Sequence, residues 1–74
     1  MRIELNRLTP YELKVLELVV AGMKNQEIAD SLNITLATVK WHINKVMDKT
    51  GIHDRKRLIV MYYTQQNYLL DSDK

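Results

Sequence analysis

Lys40, Trp41 and Asn44 fall within the short run Thr38-Val39-Lys40-Trp41-His42-Ile43-Asn44. A lysine ammonium can donate to guanine O6 and N7, and an asparagine carboxamide can pair bidentately with adenine. Ala37 and the indole of Trp41 can touch a thymine methyl. On a helical period Ala37, Lys40, Trp41, Asn44 and Asp48 share one face, opposite Val39, Ile43, Val46 and Met47. The chemistry on offer is therefore the reading of base edges. Thr35 and Thr38, with the first amides of the same helix, are placed to hold a phosphate. Lys45, Lys49, Arg55, Lys56 and Arg57 follow, where they would give affinity along flanking backbone without reading sequence.

Other chemistries fare worse. His42 and His53 have no metal-ligand spacing, so neither a metal nor another cofactor is expected. Asp48, His53 and Asp54 gather at a helix boundary, where capping explains them without catalysis. His42 falls at the border of the two faces and is expected to be packed and hydrogen-bonded. Trp41 is expected outside, because Val39 and Ile43 already fill the apolar stripe.

The overall charge of +2 is unevenly spread. Residues 1–34 sum to −1 and residues 58–74 to −1, whereas residues 35–57 carry +4. Such a patch is the footprint of a polyanion partner. With 74 residues and no cysteine, the chain makes one small domain without disulfides or thiolate metal sites. No apolar run approaches the roughly 20 residues of a membrane span, and the N-terminus lacks a signal-peptide layout. No membrane association is expected, and the cytoplasm is the expected location.

The elements that must carry these residues are all helical. Residues 1–7 read as a flexible arm, residues 8–70 as the folded domain, and residues 71–74 as a frayed tail. Thr9-Pro10-Tyr11-Glu12 has capping-box spacing and opens a helix that Gly22 can close. A second helix fits Asn25 to Leu32; Lys24 is not a capping residue, so Asn25 is the candidate cap. Asn33, tolerant of the left-handed region, begins the turn to a third helix capped by Thr35, running from about Leu36 to about Lys49 and closed by Gly51. A fourth begins at Asp54 and runs to about Asn67. Its middle is apolar or aromatic on every side, which implies a second covered face beyond the domain core. Leu58, Ile59, Tyr62, Tyr63 and Gln66 are the candidates for a dimer interface there. The fold class is all-α: a compact four-helix domain containing a helix-turn-helix, with Ala29 at the close approach and Ile34 and Val39 filling the corner.

Leu8 to Val60 resembles the LuxR-type (GerE-like) helix-turn-helix domain of bacterial transcription regulators. The resemblance is carried by LTPYE at Leu8–Glu12, VLELVVAG at Val15–Gly22, NQEIADSLNIT at Asn25–Thr35, TVKWHINKVMDK at Thr38–Lys49 and GIHDR at Gly51–Arg55. It implies a four-helix DNA-binding domain that regulates transcription and dimerises through its last helix. It also implies base contacts at Lys40, Trp41 and Asn44, and phosphate contacts around Thr35, Thr38 and Lys49. Tyr11 and Lys14 depart from the usual arginine and glutamate, Lys24 from a serine or threonine cap, and Thr50 from leucine. A receiver or ligand-binding domain commonly precedes this unit in the family, so the chain reads as either a stand-alone regulator or an excised output domain. The expected partners are double-stranded DNA, a second copy of the chain, and RNA polymerase. Two rival readings are a promoter-reading domain of a sigma factor and a helical protein-interaction adaptor.

Overall fold

The computed structural model describes the backbone of residues 3–72 and the side chains of residues 3–65. Four helices follow one another: α1 (Pro10–Val20), α2 (Asn25–Leu32), α3 (Leu36–Thr50) and α4 (Arg55–Ser72). No strand occurs among the described residues. The expected all-α, four-helix class is the one observed.

Each helix starts where its cap chemistry directs. Thr9 Oγ1 accepts from the Glu12 amide at 3.1 Å, and Glu12 Oε1 accepts from the Thr9 amide at 2.9 Å, completing the capping box. At α2 only the return half exists. The Lys24 amide donates to Glu27 Oε1 at 2.7 Å, but a lysine side chain has no acceptor to offer in exchange. Lys24 nevertheless occupies the N-cap position, with the extended backbone (φ −77°, ψ 159°) a cap requires. Asn25 is thus the first helical residue rather than the cap, and its side chain turns elsewhere. Lys24→Ser should supply the missing bond and stabilise the domain by about 1 kcal/mol. For a chain this short that is a rise of roughly 4–8 °C in Tm, readable by circular dichroism.

The helices end as the punctuation residues indicate. Gly22 has φ +90°, and the Met23 amide reaches back to Leu18 O at 3.2 Å. Asn33 has φ +57°, and the Ile34 amide reaches Ala29 O at 3.0 Å. Both are six-to-one closures that satisfy carbonyls at a helix end. Asp54 Oδ1 accepts from the amides of Lys56 and Arg57 and so caps α4. That helix extends to Ser72, past the expected end near Asn67; the expected tail overlaps its last two residues and otherwise lies outside the described residues.

The core has two halves. Val15, Val19, Ile28, Ala29, Val39 and Ile43 lock α1, α2 and α3 together. Leu16, Val20, Val46, Ile52 and Leu58 bring in α4, joined by Ile3 and Leu8. Ile59 packs against both. In the N-terminal segment Leu5–Arg7 forms a single 3-10 turn and Ile3 is buried. The Ile3 amide also donates to Gln65 Oε1 at 2.8 Å, tying the segment to α4. A domain of this size has few apolar residues to spare, so even a terminal isoleucine is drawn inward.

Candidate nucleic-acid interface

The three-residue connection Asn33–Thr35 sets the orientation of α3. The left-handed turn at Asn33 reverses the chain tightly, Ile34 packs beneath the corner, and Ala29 lets the two backbones approach. Thr35 then caps α3, its Oγ1 accepting from the Thr38 amide at 3.1 Å. With Val39, Ile43 and Val46 buried, Ala37, Lys40, Trp41, Asn44, Lys45 and Asp48 are all exposed. Trp41 is 56% exposed, a large apolar surface open to solvent among the described residues. The face predicted from periodicity is the face observed.

At the start of α3 the two hydroxyls of Thr35 and Thr38 lie 2.8 Å apart and share one hydrogen. Whichever donates in that bond, the other keeps an O–H free for an acceptor outside. The amides of Leu36 and Ala37 have no intrahelical partner, as at any helix start. Together they form a small cluster of donors at the positive end of the helix dipole, beside the exposed face.

The cations divide into two sets. Lys40, Lys45, Lys56 and Arg57 are exposed, and the Lys45 ammonium sits 5.2 Å from the centre of the Trp41 ring. Lys49, although also exposed, and half-buried Arg55 are engaged by partners within the domain. The Lys49 ammonium lies 2.7 Å from Glu12 Oε1, pairing the end of α3 with the start of α1. Glu12 is only 6% exposed, and the Lys49 ammonium, then the Thr9 amide, hold its carboxyl below the usual glutamate range against the opposing effect of burial. Arg55 donates through Nη1 to Asn25 Oδ1 and through Nη2 to Met23 O at 2.8 Å, fastening α4 to the start of α2. A phosphate at either residue would have to compete with these partners. Linear spacing placed them beside the basic run, but an acidic side chain and an orphan carbonyl compete for them in space.

Sequence reasoning missed the partner of His42. Its ring stacks at 4.7 Å, tilted by 41°, on Tyr11 of α1, and meets Trp41 edge-on at 5.0 Å. Packing is as expected, and Nδ1 is buried with no hydrogen-bond partner among the described residues. No sequence signal announced the Tyr11 contact, because it joins residues 31 positions apart on two helices. His53 and Asp48 are 3.8 Å apart and well exposed, a loose surface pair worth little. No group of three potential metal ligands occurs among the described residues.

On α4 the candidate dimer residues separate by face. Leu58 is 1% exposed and belongs to the domain's own core, while Ile59 and Tyr62 are half-buried against it. They are removed from, or reduced in, any surface this helix presents. A helix apolar on all sides does not reveal which side its own domain takes. Tyr63 remains 51% exposed, with its hydroxyl donating to Val20 O at 3.2 Å. Val60, one turn away and 61% exposed, joins it although spacing had not singled it out. The side chain of Gln66 lies outside the described residues. No helix among the described residues is long and apolar enough to cross a membrane.

Comparison with known proteins converges on one family. The profile GerE, described as bacterial regulatory proteins of the luxR family, matches residues 6–62. Response regulator protein VraR of Staphylococcus aureus, strain Mu3, is 37% identical over 62 residues, covering 84% of this chain and 29% of VraR. The VraR proteins of Staphylococcus saprophyticus and Staphylococcus epidermidis align over the same share at the same identity. The chain thus spans less than a third of the length of these relatives.

Proposed function

The chain belongs to the luxR family of bacterial regulatory proteins, a helix-turn-helix DNA-binding unit, and on that premise we propose how it reads an operator. Helix α3 enters the major groove with its first half nearest the base edges. Lys40 and Asn44 make the polar base contacts; Ala37 and Trp41 make the apolar ones. The Thr35–Thr38 donor cluster, Lys45, Lys56 and Arg57 hold phosphates on either side. Two copies bind a pseudo-palindrome with half-sites about 10 base pairs apart, meeting through the α4 face that carries Val60 and Tyr63. The product is control of transcription, with RNA polymerase as a neighbour on the promoter.

A single observation carries this reading: a lysine, an indole and a carboxamide stand exposed together on the helix that follows the turn. Neither a sigma-like promoter reader nor an adaptor is favoured by a specific feature. In vitro selection of bound duplexes should enrich an inverted repeat. Affinity should fall log-linearly with salt, by about 0.9 log units per phosphate contact for each tenfold rise. Weak, salt-insensitive binding with no enriched sequence would leave the proposal without support.

A further inference from the structure

The Trp41 indole is a large, exposed side chain, and a reader of base edges needs its atoms held in place before the duplex arrives. Two groups lie against it, and a third stands behind one of them. His42 abuts it edge-on at 5.0 Å, Tyr11 backs His42 at 4.7 Å, and Lys45 places its ammonium 5.2 Å from the ring centre. Tyr11 stands at the second position of α1, whose start is fixed by the Thr9–Glu12 capping box. The tier therefore runs from a rigid scaffold helix, through the imidazole, to a side chain facing solvent.

We infer that His42 and Tyr11 are positioning residues for base recognition, holding the Trp41 indole in the orientation in which it meets the major groove. This rests on the proposed role of α3. The imidazole acts here through its ring, whose face and edge meet Tyr11 and Trp41, while its buried Nδ1 has no partner among the described residues. An aromatic hydrocarbon of similar shape should serve as well. Tyr11 sits on a different helix from every proposed base contact, yet it governs one of them.

Trp41 is the chain's sole tryptophan, so the indole dichroism at the long-wavelength edge of the near ultraviolet, and the anisotropy decay excited there beyond the band of the four tyrosines, report on this side chain. In the free protein, Tyr11→Ala and His42→Ala should weaken the indole dichroism and add a fast anisotropy component, while His42→Phe preserves the wild-type decay. On DNA, wild type should discriminate at the base pair Trp41 meets by about tenfold, the scale of one mismatched pair. Tyr11→Ala and His42→Ala should flatten that one position, leaving other positions and affinity for random duplex within about twofold; His42→Phe should restore it. A purely structural role would instead lower binding at every position in step with folding, and that result overturns the inference. So does unchanged discrimination in Tyr11→Ala and His42→Ala. If Trp41→Ala itself alters no base preference, the inference falls through its premise, and the free-protein anisotropy still shows separately whether the tier holds the ring.

Discussion

Replacing Lys40 by alanine should reduce affinity for the selected operator by about 1–3 kcal/mol and relax preference at one base position. Lys40 is the exposed cation closest to the start of α3, and no ion pair holds it among the described residues. Its ammonium can therefore leave water for guanine O6 and N7 without first breaking a bond within the domain. Lys56→Ala supplies the contrast. An ammonium directed at phosphate gives affinity to all sequences alike, so that variant should lower the salt slope by about one unit and leave the base preferences intact. The pair of measurements is selective binding to single-position operator variants and a salt titration on random duplex. Equal losses on operator and random duplex after Lys40→Ala would remove this residue from base reading.

The contrast between Lys40 and its neighbours also shows what a linear reading can reach. Most helix starts and ends, and the face of α3, were legible because they rest on local chemistry: a threonine before proline, a glycine or asparagine at positive φ, and aliphatics at a helical spacing. These are contacts between residues three to five apart. The cap of α2 at Lys24 and the end of α4 at Ser72 carry no such mark. What else escaped lies between elements. Lys49 is 37 positions from Glu12, and Arg55 is 30 from Asn25, so nothing local separates them from Lys45 or Lys56. Leu58 and Val60 are both aliphatics in one helix, yet the former is core and the latter surface. The helix packing that decides this is a property of the assembled domain. Composition did locate the basic segment; it could not say which of its cations remain free.

Lys49→Met should therefore act on stability before it acts on DNA. The substitution keeps most of the packing and removes the charge, leaving the Glu12 carboxylate covered, with only its bond from the Thr9 amide. Breaking a fully buried pair costs about 3–5 kcal/mol, and exposed pairs are worth under about 1. The Lys49 side chain is 36% exposed, so the expected loss lies between these, about 1–2 kcal/mol. The pH dependence gives the mechanism. Because the Glu12 carboxyl is held below its ordinary value, its contribution is complete above the unfolded value of about 4.3 and is lost as pH falls through the lower, folded value. Below that point the carboxylate is protonated in wild type and variant alike, so the gap in unfolding free energy between them should close in acid. Urea melts of the two proteins across pH 7 to 3 would measure it, and a gap that stays constant would show that the ion pair is not its source. Under conditions where both proteins are folded, the salt slope of DNA binding should be the same for Lys49→Met as for wild type. A slope lower by about one unit would instead return Lys49 to the phosphate-contacting set, with Glu12 as a partner it gives up on binding.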